Sequence, residues 1–176
     1  MTAAHQTAAY QLASVSATRQ FGRALAAALR PGDLVVLTGP LGAGKTVLAQ
    51  GLGEGLGVVG PITSPTFVIA RVHRPDPAAG GTTPLVHVDA YRLGIDVDPR
   101  VAVDDLDLDA TAEESVTVVE WGEGVVEQLA PAHLRVRIDR REDDIRTVTL
   151  TGGGDWPERL VELPAPVECD RAGSGD

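Results

Sequence analysis

The sequence predicts an α/β fold in three layers around a sheet of mixed parallel and antiparallel strands. Three observations predict it. An aliphatic run, Asp33-Leu34-Val35-Val36-Leu37-Thr38, is followed by a glycine-rich stretch and then by apolar residues at helical spacing, the strand–loop–helix order of a parallel α/β unit. Two more aliphatic runs end on an acid, Leu85–Val88 on Asp89 and Val116–Val119 on Glu120. Two segments, Leu134–Ile138 and Arg146–Leu150, instead alternate apolar and polar residues across a charged turn, the pattern of an antiparallel pair with one exposed face.

Taken in order, residues 1–9 read as a loose leader of Ala, Thr and His. Tyr10–Ser14 reads as a short strand. Ser14 or Ser16 then caps a helix running through Leu29, with Phe21, Leu25, Ala28 and Leu29 on one face and Pro31-Gly32 ending it. The strand over 33–38 leads through Gly39–Gly44 into a second helix that carries Leu48, Leu52 and Leu56 and stops at Gly57. Phe67–Val72 and Pro84–Asp89 form a hairpin across a turn rich in Pro, Gly and Thr. The segment 96–114 holds eight acids against Arg100 and reads as a solvated face. A calcium loop starting at Asp105 fails because Ala110 stands where the sharp turn needs glycine. From residue 163 to 176 the chain reads as a disordered tail, which leaves one domain over 10–162.

Composition narrows the function. The net charge of -10 argues against a protein that grips nucleic acid by itself, since that requires clustered cations. Cys169 is the only cysteine, so an internal disulfide and a thiolate zinc site are excluded. No stretch is apolar for long enough to span a bilayer, and the first residues lack the pattern of a signal peptide. A soluble, cytoplasmic protein is the expectation.

The chemistry centres on Gly39-Pro40-Leu41-Gly42-Ala43-Gly44-Lys45-Thr46, which matches the P-loop pattern G-x-x-x-x-G-K-[ST]. Lys45 is the only lysine; the other fourteen basic residues are arginine. A compact ammonium is what a phosphate-facing point charge requires, and a planar guanidinium does not replace it. In such a loop the glycines turn backbone N–H groups inward around an anion. Lys45 then reaches the β- and γ-phosphates and the Thr46 hydroxyl binds Mg²⁺. Asp89 and Glu120 stand at strand ends, where a ligand crevice opens in α/β sheets, and either could serve the metal. Thr66 lies in a loop opened by Ser64-Pro65, where a nucleotide-sensing switch would sit, although Ser-Pro-Thr is also a common turn. His87 reads as a strand histidine. Trp121 either stacks on the nucleotide or packs under the sheet. The Asn-Lys-x-Asp guanine segment is absent, and Arg92 stands where Asp-x-x-Gly would need glycine, so ATP is favoured over GTP.

The ordered set Gly39–Thr46, Ser64-Pro65-Thr66-Phe67, His87-Val88-Asp89-Ala90-Tyr91-Arg92-Leu93 and Val119-Glu120-Trp121 resembles the bacterial TsaE (YjeE) family, small ATPases of tRNA threonylcarbamoyladenosine synthesis. The resemblance spans about residues 10–150. It implies a P-loop NTPase fold in which Lys45 and the backbone of Gly42, Ala43, Gly44, Thr46 and Val47 hold the phosphates. It implies Thr46 and Glu120 as Mg²⁺ ligands and Asp89 as a Walker B-type acid at the metal. Lys45, Asp89 and Glu120 are then the catalytic set, Thr66 belongs to the switch-like loop, Trp121 borders the nucleotide, and Thr18 falls near an N-terminal nucleotide contact. The implied partners are TsaD and TsaB family proteins, with tRNA reached only through that complex and the chain alone a monomer. A small-molecule P-loop kinase and a nucleotide-binding adaptor without useful hydrolysis are the alternatives.

Overall fold

A computed structural model describes residues 6–63, 70–90, 113–121, 132–161, 163 and 169–171. Eight strands form one sheet: β1 (Gln6–Leu12), β2 (Leu34–Thr38), β3 (Ala70–His73), β4 (Leu85–Asp89), β5 (Val116–Glu120), β6 (Leu134–Arg140), β7 (Arg146–Gly152) and β8 (Cys169–Arg171). Their order is β3-β4-β5-β2-β6-β7-β1-β8. The inner strands β4, β5, β2 and β6 pair in parallel, while β3, β7, β1 and β8 add on antiparallel. The sheet is therefore mixed, as expected. Burial follows the sequence patterns: every residue of β4 is buried, whereas β6 and β7 bury one face and leave the other half-buried or exposed.

Three described helices, α1 (Val15–Ala26), α2 (Lys45–Leu56) and α3 (Trp156–Val161), contribute to the main apolar core. Phe21 and Leu25 of α1, Leu48 and Leu52 of α2, and Trp156 of α3 meet Val35, Leu37, Val118 and Val136 of the sheet. A second buried cluster, with Val36, Val86, Val88 and Val119, comes from the alternate positions of the same strands and so lies on the opposite face. Helices α1 and α2 touch backbone to backbone. A Cβ added at Gly51 would stand 2.1 Å from the Arg19 carbonyl oxygen, and one at Gly22 would stand 2.5 Å from the Leu48 oxygen. This glycine seam fixes α2, and with it the loop that opens it, against α1.

The sequence placed several boundaries differently. Ser14 does cap α1, its side chain accepting from the Ala17 N–H, but the α-helix ends at Ala26. Residues 28 and 29 continue with N–H bonds to the carbonyls three residues back, a tighter turn that apolar spacing alone does not distinguish. Strand β1 begins at Gln6, inside the stretch expected to be a loose leader, because it pairs along its whole length with β7. Likewise Cys169–Arg171 pairs with β1, inside the expected tail. Both pairings are with distant parts of the chain and leave no local signature. The expected hairpin is present as β3–β4. The start of its first strand at 67–69, the Ser64–Phe67 loop and most of the acidic segment lie outside the described residues.

Candidate functional site

Strand β2 runs into the glycine loop, and α2 begins at Lys45. Gly39 adopts φ 137°, and a Cβ there would meet the Ile138 carbonyl oxygen of β6 at 2.1 Å. The loop therefore leaves the sheet pressed against a neighbouring strand, with no room for a side chain. Gly44, at φ 113°, precedes the helix in a left-handed conformation that costs glycine little. The first turn of α2 thus opens onto a pocket of about 370 Å³ lined by Gly42, Gly44, Lys45, Thr46, Val47, Glu120, Trp121 and Arg146. Ala43 lies beneath, its side chain in the core.

Side chains at this mouth are held from several directions. The Lys45 ammonium donates to the carbonyls of Gly39 and Pro40 at 2.8 and 2.9 Å and lies 4.0 Å from the centroid of the Trp121 ring. Burial pushes its pKa below the ordinary lysine value, while the charges of Glu120 and Asp89 pull the other way. The Thr46 hydroxyl donates toward Glu120, 3.3 Å from Oε1 and 3.5 Å from Oε2. Asp89 and Glu120 sit side by side in the register of β4 and β5, and both are buried.

The structure brings together most of the residues the sequence singled out. Lys45, Thr46, Val47, Gly42, Gly44, Glu120 and Trp121 line one pocket, with Asp89 adjacent to Glu120. Thr18 is fully buried on α1. Its hydroxyl donates to the Ser14 carbonyl at 3.0 Å, and its methyl would stand 3.7 Å from a Cβ at Gly44. Thr18 thus packs against the loop. Thr66 lies outside the described residues.

One residue, Arg146, escaped the sequence reading, and another, His87, is the strand histidine it was read as but makes a contact that reading did not include. The Nε2 of His87, fully buried on β4, lies 2.8 Å from Glu120 Oε1. Arg146 opens β7 and lines the pocket. Its Nε donates to the Ala43 carbonyl at 3.2 Å and its Nη1 to the Asp144 carbonyl at 3.0 Å. A signal for Arg146 was present: Val148 and Leu150 occupy the inward phase of this strand, and Arg146 shares it. A charged residue on the buried phase of an alternating strand needs a partner. The sequence offered no arginine beside the loop; the fold supplies this one from a strand remote in the chain.

Among the described residues, no group of three or more His, Cys, Asp or Glu is arranged to hold a metal by itself. The oxygen donors here, a threonine hydroxyl beside strand-end carboxylates, instead suit a hard cation that completes its shell with water and phosphate, as Mg²⁺ does.

A mixed α/β sheet, a glycine loop opening a helix, and Lys45 and Thr46 at that helix start define a protein of the P-loop NTPase fold. Comparison with known proteins specifies which. The family model described as threonylcarbamoyl adenosine biosynthesis protein TsaE matches residues 12–148. A tRNA threonylcarbamoyladenosine biosynthesis protein TsaE of Streptomyces coelicolor is 59% identical over 152 residues, covering 84% of this chain and 99% of that protein. The protein of the same name from Bacillus subtilis is 37% identical over 146 residues, covering 82% of this chain and 85% of its own length. The crystal structure of Bacillus subtilis YdiB superposes with a TM-score of 0.70 at 31% identity, covering 90% of this chain and 94% of that one. The chain belongs to the TsaE family of tRNA threonylcarbamoyladenosine biosynthesis proteins.

Proposed function

We propose that this protein is a Mg²⁺-dependent ATPase that acts in tRNA threonylcarbamoyladenosine formation together with TsaD and TsaB family proteins. The observation that carries the ATPase reading is the contact between Thr46, at the start of α2, and Glu120, at the end of β5, with Lys45 beside them in one pocket. In this reading Lys45 and the backbone N–H groups of the loop hold the β- and γ-phosphates. The Thr46 hydroxyl and the Glu120 carboxylate hold the metal, and Asp89 orients water at its edge. Bound Mg²⁺ supplies neutralisation of the charge that builds on the phosphate oxygens. Arg146 braces the loop through the Ala43 carbonyl and adds positive charge to the pocket wall. The family's role in tRNA modification and the net charge of -10 favour a protein partner over bare tRNA, with tRNA reached through the assembly. Cytoplasmic location follows from that role.

The test is phosphate release measured on the protein alone and with the TsaD–TsaB pair, for the wild type and for Glu120→Gln. The reading expects slow release alone, a rise with the pair, and loss of that rise in the isosteric variant, with metal-free nucleotide binding retained. Transfer of phosphate to a small molecule, or equal rates with and without the pair, would replace it by the kinase or adaptor alternative.

A further inference from the structure

His87 sits two residues before Asp89 on β4, and Asp89 is the register partner of Glu120 on β5. Alternate residues of a strand share a face, so His87, Asp89 and Glu120 lie on one face of the sheet. An ionised carboxylate can only accept hydrogen bonds. In the 2.8 Å contact between His87 Nε2 and Glu120 Oε1, Nε2 therefore carries the proton. Glu120 is thus held from two sides, by the imidazole from the sheet and by the Thr46 hydroxyl from the helix. Nothing about packing demands a polar ring here. Its neighbours on the same face, Leu85 and Val118, are aliphatic and buried, and His87 Nδ1 is buried without a hydrogen-bond partner among the described residues. A ring with one satisfied nitrogen is accounted for by what that nitrogen does.

We propose that His87 is a positioning residue. Its Nε2–H fixes Glu120 Oε1 and with it the plane of the carboxylate, which leaves Oε2, 3.5 Å from the Thr46 hydroxyl, for a divalent cation. The terminal torsion of a glutamate is soft, and a donor mounted on a central strand removes that freedom. The proposal rests on the reading of Glu120 as a metal ligand. Donors that orient a metal-binding side chain typically carry a 10- to 100-fold effect on metal affinity.

Mn²⁺ binding to the ADP complex, followed by electron paramagnetic resonance, tests this on the wild type, H87Q, H87L and E120Q, with melting curves confirming folding. H87Q keeps an amide donor close to the Nε2 position; H87L keeps the volume without the donor. The expected result is a loss of Mn²⁺ affinity of about 10- to 100-fold in H87L, most of the affinity retained in H87Q, and ADP affinity in EDTA unchanged in both. Wild-type Mn²⁺ affinity in H87L, with E120Q impaired, would overturn the proposal while leaving the metal site standing. Equal Mn²⁺ binding by the wild type and E120Q would overturn the metal-site reading itself, and this proposal with it. A second measurement does not depend on H87L folding. Long-range ¹H–¹⁵N spectra of the wild type at neutral pH are expected to show His87 protonated on Nε2, and a ring protonated on Nδ1 alone would overturn the assignment.

Discussion

Trp121 holds its ring 4.0 Å from the Lys45 ammonium while its own backbone sits in the left-handed region at φ 62°. The two facts are linked. Strand β5 ends at Glu120, and the left-handed step that follows lets the ring cover the mouth of the P-loop. For a residue with a Cβ that step costs about 1–2 kcal/mol, comparable to what a cation–π contact returns. Strain of this kind persists where surroundings impose it, commonly at functional sites.

Trp121→Gly and Trp121→Ala should therefore rank in an unusual order. Alanine ordinarily stabilises a backbone relative to glycine. At this φ, glycine should be the more stable of the two variants by about 1 kcal/mol in urea unfolding. Both variants should bind ATP more weakly than the wild type. A Trp121→Ala protein at least as stable as Trp121→Gly would show that the left-handed step is not strained.

Lys45→Ala should lose nucleotide affinity by about 2–5 kcal/mol, which is tenfold for each 1.4 kcal/mol. The ammonium is partly desolvated, with Glu120 and Asp89 adding negative charge around it, so the variant leaves those carboxylates facing the phosphates uncompensated. Lys45→Arg should not rescue binding, because a planar fork does not fit the place of a point charge between the Gly39 and Pro40 carbonyls. Calorimetric titration with ATP decides, and wild-type affinity in the alanine variant would remove the P-loop assignment.

What was legible in the sequence follows from how local each signal is. The P-loop, the acid-terminated strands β4 and β5 and the alternating pair β6–β7 are contiguous patterns, and the fold places them as read. Strand β1 before Tyr10 was not legible, because Gln6 pairs with Gly152 and nothing near Gln6 announces that. Lys45, Thr46 and Glu120 were found by motif and strand end. The place of Arg146 beside the loop and the contact of His87 with Glu120 were not, because each is defined by a partner distant in the chain, Ala43 and Glu120 respectively.

Gly51→Ala should destabilise the protein although alanine is the better helix former by about 1 kcal/mol. The added Cβ would stand 2.1 Å from the Arg19 carbonyl oxygen, backbone that cannot rotate away. Separating α1 from α2 would lift Phe21 and Leu48 from the shared core. A net cost of about 1–3 kcal/mol is expected, as for other overpacked sites. Because α2 carries Lys45 and Thr46, ATP affinity should fall with stability. A variant with unchanged or raised stability in denaturant titration would contradict the close contact between these helices.

The last prediction concerns acid. His73 is buried at the end of β3, and its Nε2 has no hydrogen-bond partner among the described residues. Burial pushes its pKa below the ordinary 6.5, the charges of His87 and Arg71 push the same way, and a hydrogen bond to the Val59 backbone opposes them. The unfolded chain therefore takes up a proton at a pH where the folded chain does not. Stability from this group is present in full above the unfolded pKa. It is lost as pH falls from 6.5 toward the lower folded value, below which no further loss comes from His73. Within that window the slope is at most about 1.4 kcal/mol per pH unit. His73→Gln keeps a neutral polar side chain and removes the titration. Urea midpoints from about pH 7.5 to about pH 5.5 should fall more steeply for the wild type than for the variant, with the two separating below the ordinary histidine value. Parallel profiles would mean that His73 binds its proton equally in the folded and unfolded chain, and that its burial carries no cost at the edge of the sheet.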